Sequence, residues 1–331
     1  MMNDKKRFLS AFLALALTLS ALCGCAAPAE PAGDDEAPLG VLLDSAVPLA
    51  GLPAISTVLS PVASGIAVEK NSSAVIDYSN AKEGYVMVKW TGGGSPKLMV
   101  VVKGPNSSSS ENWYQYYLRT DGEYDVFPLS DGNGTYQILV HKNITGDKYS
   151  TELSTSFNVT LDDEFAPFLR PNQYVNFTEN SRAVQVAAEE IAANDATDNL
   201  SKTGVIYDYV VKNLSYDTAK AKSVKYDYLP DIDKVLSEKK GICFDYAALM
   251  AAMLRSQGVP IKLVVGYTSK NQKHAWINVW SEDGGWVDGM IYFNGKDWEL
   301  MDPTFASSGK QSKSIMEYIG NGKNYLAKYL Y

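Results

Sequence analysis

Cysteine and histidine are both scarce in this chain: 331 residues hold three cysteines and two histidines. Two of the cysteines, Cys23 and Cys25, fall within the first thirty residues, which leaves Cys243 alone in the body of the chain. So few thiols exclude a disulfide-stapled scaffold. Basic residues are in deficit as well, with 30 Lys and Arg against 38 Asp and Glu and a net charge of -8. An acidic chain with no basic motif has no electrostatic case for nucleic acid. No internal repeat is visible. The one long apolar run, Phe8 to Leu22, is too short and too abruptly ended for a comfortable membrane span.

That run follows Lys5, Lys6 and Arg7 and closes on Leu22-Cys23-Gly24-Cys25. A positive n-region, an apolar h-region and a small residue before a cysteine resemble the bacterial lipobox, in which the cysteine after the cleavage point is lipidated. The resemblance implies that residues 1–24 are a signal peptide and that Cys25 is the first, lipidated residue of a protein anchored to the outer face of the cell membrane. Cleavage removes three positive charges and one negative, moving the net charge from -8 to -10. Eight Asn-x-Ser/Thr sequons read, in a bacterial setting, as ordinary loop and edge residues.

Beyond residue 25 the composition changes twice. Residues 25–65 are rich in Ala, Pro, Gly and Leu and read as a tether, though VLLDSAVPLAGLPAISTVLSPVAS is apolar enough for part of it to pack on the body. Residues 66–162 carry short alternating runs (YVMVKW, KLMVVVKG, WYQYYL, TYQILVHK, STSFNVTL) broken by TGGGSP, GPNSSSSEN, SDGNG and NITGD. About seven strands are expected there, as a small antiparallel sandwich of immunoglobulin-like type. Residues 163–331 switch to helices over 181–194, 197–214, 229–240 and 243–256. Four strand-like runs follow: IKLVVGYT, HAWINVWS, GWVDGMIYF and DWELMDPTF. Helices followed by an antiparallel sheet predict an α+β fold.

Cys243 stands where the alanine-rich helix of KKGICFDYAALMAAML begins. Unpaired N–H groups and the positive dipole end at such a position favour a thiolate, although a lone cysteine there is also a common small buried hydrophobe. A cysteine nucleophile needs a base, and His274 opens the strand HAWINVW 31 residues later, a spacing that spans the helix, a turn and one strand. Asp302, in WELMDPTF, follows after 28 more residues on a run expected beside the histidine strand, where a carboxylate would orient the imidazole; Asp-Pro is equally a turn opener. The other histidine, His141, reads as a plain strand residue on the face opposite Tyr136, Ile138 and Val140.

The blocks GICFDYAALMAAMLRSQGVPIKLVVGY, KHAWINVW and WELMDPTF, in that order, resemble the transglutaminase-like superfamily, whose papain-like core carries Cys, His and Asp in G-x-C-x-D-Y-A, H-A-W and D-P-T blocks. The likeness covers about 205–308. It implies Cys243 as nucleophile, His274 as base, Asp302 as the orienting acid, Asp245 and Tyr246 as framework residues and Trp276 as a packing aromatic. It further implies attack of Cys243 on an amide carbonyl and a thioester resolved by water or by an amine. The oxyanion would be held by the Cys243 N–H and a second donor, for which Tyr216 is the candidate; its other reading is a core aromatic. Asn278 departs from the Glu of many relatives, and no EF-hand loop suggests calcium control.

The expected protein is therefore a cell-surface cysteine enzyme, a peptidase or amidase before a crosslinking acyl transferase, since no second amine-donor site is specified. It needs no cofactor and no metal. Its partners are a peptide or protein substrate, wall peptide among the options, and the membrane through its lipid. The rival reading is a non-catalytic binding module for wall polymer or protein with the core as scaffold. A solute-binding lipoprotein is disfavoured by the lack of two similar α/β lobes.

Overall fold

The computed structural model describes residues 58–225, 227–268, 271, 273–288, 292–293, 298–299 and 325–331. Cys25, the signal peptide, Asp302 and most of the tether lie outside these residues.

Two four-stranded antiparallel sheets come first. One takes β1 (Val68–Lys70), β2 (Ala74–Asp77), β3 (Tyr85–Trp90) and β6 (Asp125–Pro128) in the order β1-β2-β3-β6. The other takes β4 (Leu98–Lys103), β5 (Tyr114–Tyr117), β7 (Gly134–Thr145) and β8 (Lys148–Val159) in the order β5-β4-β7-β8. Period-two patterning explains the sandwich: Val86, Val88 and Trp90 of β3 join Leu98, Val100 and Val102 of β4 and Tyr136, Ile138 and Val140 of β7 in the core. Each of the aliphatic side chains, fully buried, contributes about 1.5–3 kcal/mol.

The helical part follows. Helices α1 (Arg182–Ala193) and α2 (Asn199–Asn213) precede a two-residue strand β9 (Ser215–Tyr216), a single helical turn and a half α3 (Thr218–Ser223), and α4 (Ile232–Glu238). Strand β10 (Lys240–Gly241) leads into α5 (Cys243–Arg255). Asp198, Asp217 and Asp231 cap α2, α3 and α4 by accepting the N–H three residues on. Ser181 does not cap α1 with its side chain; instead Asp233 of α4 accepts from the Arg182 and Ala183 N–H groups. The cap has been lent by a neighbouring helix, which also fixes the packing of α1 on α4.

The final sheet has the order β13-β12-β11-β16, from β11 (Ile261–Thr268), β12 (Lys273–Ser281), β13 (Gly285–Val287) and β16 (Tyr325–Leu330), all antiparallel. The sequence pattern placed DWELMDPTF as its fourth strand. Instead, β15 (Trp298–Glu299) pairs with β14 (Tyr292–Phe293) in a hairpin of its own, and the fourth position goes to the C-terminal YLAKYL. That segment, Tyr-Leu-Ala-Lys-Tyr-Leu, lies far from the other strands in sequence, and it takes its place by antiparallel pairing with β11.

Sandwich and helical part are joined by aromatic rings. Tyr116 of β5 meets Tyr174 at 5.5 Å and Tyr331 at 5.6 Å between centroids, and Tyr174 in turn meets Phe244 of α5 at 5.3 Å. Gln173 Nε2 donates to the Tyr117 carbonyl at 2.6 Å. Beneath this cluster Arg255, buried, donates to the main-chain oxygens of Arg170 (2.8 Å), Ile261 (2.7 Å and 3.1 Å) and Tyr331 (2.5 Å). Burial pushes its pKa down to about 9, so the cation persists at neutral pH. Arg255→Met should cost about 2–4 kcal/mol by stranding these buried oxygens, read as a lower denaturant midpoint with an unchanged m-value.

Candidate active site

The segment before Cys243 is drawn tight. Lys239 ends α4 in a left-handed conformation (φ 53°), and its carbonyl accepts from Ser215 N–H at 2.9 Å. Strand β10 then pairs in parallel with β9, setting Gly241 beside Tyr216, and Asp217 N–H donates to the Gly241 carbonyl at 2.8 Å. A Cβ on Gly241 would stand 2.7 Å from the Asp245 Cβ, so glycine is the residue that lets the chain close on its own helix. The oxyanion candidate Tyr216, half-buried, is thereby fastened to the strand two residues ahead of the cysteine.

Cys243 is the first residue of α5, after the N-cap Ile242. The residue is 7% exposed. Ile242 has no side-chain acceptor, so only half of a capping box is possible: Asp245 at the third helical position reaches back and accepts the Ile242 N–H at 2.8 Å. Asp245 is fully buried and also accepts from Lys220 Nζ (2.7 Å) and Tyr228 OH (2.5 Å). Tyr246, also buried, packs in the core beside it, with its phenol pKa raised by burial and then by the Asp245 charge.

His274 is the second residue of β12, 7% exposed, and lies opposite Gly266 of β11. Its ring and that of Trp276 are 6.4 Å apart and nearly parallel, as strand alternation requires of residues two apart. Ala275, Ile277 and Val279 alternate to the opposite face and belong to the buried hydrophobic core. Gly266 is small for cause: a Cβ there would run into the Leu326 carbonyl and stand 2.7 Å from the Trp276 indole. Helix α5 packs across β11 and β12. The turn after Arg255 sends β11 back along the helix, with Arg255 bonded to Ile261 at one end. From Arg255 to Cys243 the helix rises about 18 Å. From Ile261 to Gly266 the strand covers about 17 Å. The topology therefore carries His274 back toward the end of α5 that holds Cys243.

On the same face of β12, Asn278 donates to Asp288 at 2.6 Å. This pair, with Asn278 buried and Asp288 exposed, occupies the position where the sequence departs from many relatives, and sequence reasoning gave Asp288 no role. His141 is a strand residue of β7, its Nδ1 3.2 Å from Thr151 Oγ1 at a bulge. A groove of about 300 Å³ runs between the sandwich and the sheet, lined by Asp131, Asn133, Glu164, Phe168, Lys262 and Trp286. It sits at the Trp280–Trp286 end of β12, away from His274, and touches none of the candidate residues. Among the described residues no cluster of three or more His, Cys, Asp or Glu is placed to hold a metal ion.

Burial pushes the His274 imidazole down to about 4 from an ordinary value near 6.5. The folded protein thus holds a neutral ring at pH 7. Below about pH 6.5 the unfolded chain takes up a proton that the folded chain refuses, so stability falls as pH drops toward 4, by up to about 3 kcal/mol. The fall should be present in wild type and flattened in His274→Gln over the same window, measured by urea unfolding at pH 7 and pH 4.5.

Residues 185–288 match the family model of the Transglutaminase-like superfamily. The match ends before Asp302. The "Uncharacterized protein YebA" of Bacillus subtilis is 24% identical over 182 residues, covering 49% of this chain and 24% of that protein. The protein-glutamine gamma-glutamyltransferase of Pseudomonas aeruginosa is 25% identical over 109 residues, covering 29% of this chain and 14% of that one. The chain thus spans a quarter or less of the length of these curated relatives. Among solved structures, a candidate cysteine protease from Cytophaga hutchinsonii is 14% identical, covers 80% of this chain and 73% of that chain, and aligns with a TM-score of 0.35.

Proposed function

We propose, from the match of residues 185–288 to the transglutaminase-like family model, that the protein is a surface-tethered cysteine enzyme that cleaves or exchanges amide bonds of peptides or proteins. The observation that carries the reading is Cys243 at the first position of α5, a helix packed on the strand that bears His274.

The chemistry follows from the groups present. A neutral imidazole is the form that can take the thiol proton. A lone imidazolium is disfavoured by burial, whereas a thiolate–imidazolium pair carries no net charge and is penalised less. The thiolate attacks the amide carbonyl, and the Cys243 N–H, at the first position of α5, is the proposed donor to the developing oxyanion. Tyr216, tied to the adjacent strand, is the proposed second donor. His274 returns its proton to the departing amine and then activates water, or a primary amine, against the thioester. Asp302 is the proposed partner of the second imidazole nitrogen. Hydrolysis is favoured over transfer because nothing on the chain marks an amine-donor site. Burial of both Cys243 and His274 supports the second reading, a binding module on a transglutaminase-like scaffold.

Incubation of the purified protein with glutamine-containing and branched peptides, with and without a primary amine, separates these outcomes by mass spectrometry. Water incorporation marks hydrolysis, and amine incorporation marks transfer. Cys243→Ser and Asp302→Ala should each lower turnover by about 10²–10⁴-fold while the fold is kept. In the wild type, iodoacetamide should alkylate native Cys243 below the ordinary thiol range near pH 8.5, and His274→Ala should move that onset upward. A thiol that reacts only on unfolding leaves the scaffold reading standing.

The proposed location rests on the Leu22-Cys23-Gly24-Cys25 motif. Intact mass of membrane-extracted protein should show acyl chains on an N-terminal Cys25; an unacylated N-terminus elsewhere would refute the anchor.

A further inference from the structure

Asp245 poses an electrostatic problem for a reactive thiol. A fully buried carboxylate two residues from Cys243 would oppose formation of a thiolate, yet its oxygen is needed to hold the Ile242 N–H at the turn. Lys220 answers it. Its ammonium lies 2.7 Å from Asp245 Oδ2 and 2.5 Å from Tyr228 OH, above whose ring it sits at 4.2 Å, and it remains partly open to solvent. Lys220 also belongs to α3, which continues directly from Tyr216 and Asp217, so the same ion pair fastens the oxyanion-candidate segment to the cysteine turn.

We infer that Lys220 is a positioning residue of the thiol site: it cancels the Asp245 charge so that this carboxylate can brace the turn without suppressing ionisation of Cys243, and it holds Tyr216 in register with that turn. The inference rests on Cys243 being the nucleophile. The surrounding groups leave this role to Lys220. Tyr228 stays protonated, its pKa raised by burial and by Asp245, and Tyr246 stays protonated for the same two reasons. Asp231 and Glu238 of α4, which act on Tyr228, are exposed and screened. His274, on β12, is held neutral by burial. Lys220 is thus the cation that meets the Asp245 carboxylate.

An uncompensated unit charge within one helical turn shifts a titration by about one to two pH units. The test is the pH–rate profile of iodoacetamide alkylation of native Cys243 on the full chain, with circular dichroism and melting recorded for every variant. Lys220→Met should raise the labelling midpoint by about one to two pH units, and Lys220→Arg should hold it within about half a unit. Asp245→Asn, which keeps an acceptor for Ile242, should lower it, and the double variant should return it close to wild type. A folded Lys220→Met protein with the wild-type midpoint overturns the inference while leaving Cys243 a reactive nucleophile. Should Lys220→Met fail to fold, Asp245→Asn decides: a midpoint unmoved or raised overturns the inference equally. A wild-type thiol inert until unfolding removes the nucleophile reading and this one together.

Discussion

The carboxylate of Asp245 has no exposed surface, and a buried charge costs several kcal/mol unless every lone pair finds a donor. Meeting that demand fixes the neighbourhood. One donor is the main chain at Ile242, one the Lys220 ammonium, one the Tyr228 hydroxyl. The three come from the turn before α5, from α3 and from the loop ahead of α4. A single group thereby decides how close β9, α3 and α4 stand to the start of the helix that holds Cys243. The closeness of Gly241 to Asp245 belongs to the same constraint, since any larger residue would push the turn outward.

A second constraint acts at the far end of α5. Arg255 satisfies main-chain oxygens from three separate segments, of which Tyr331 belongs to the stretch following β16. Helix α5 is therefore pinned at both ends, by a buried anion at its N-terminus and a buried cation at its C-terminus, with an alanine- and leucine-rich middle closing on the sheet. These signs also complement the helix dipole. A site built on such an element can hold a nucleophile within a narrow range of positions, which is what attack on an amide requires. The tyrosine cluster around Tyr116, Tyr174 and Tyr331 extends this rigidity to the sandwich through Phe244, the residue next to Cys243.

Much of the architecture is legible from local pattern. The two-residue alternation in YVMVKW and TYQILVHK, the capping aspartates at 198, 217 and 231 and the glycine-containing break before Cys243 all act within a few residues of where they are read. Other features are invisible locally. The cap of α1 comes from Asp233, fifty residues away, and not from the side chain of Ser181 at the N-cap position. The fourth strand of the last sheet is Tyr325–Leu330, which reaches the edge of β11 from nearly sixty residues further along the chain. The Asn278–Asp288 pair is formed across adjoining strands and carries no spacing that would announce it.

The sequence by itself determined the chemistry on offer: one cysteine at a helix start, one histidine at a strand start, and the order in which they occur. These follow from residue identity and from short-range capping and periodicity, which need no partner. The tertiary structure decided how that chemistry is conditioned. Burial holds His274 in its neutral form, the return of β11 along α5 brings its strand toward Cys243, and Lys220 faces an Asp245 that lies 25 residues away. Desolvation and charge pairing are properties of what surrounds a group in space, and for these residues the surroundings are drawn from distant parts of the chain.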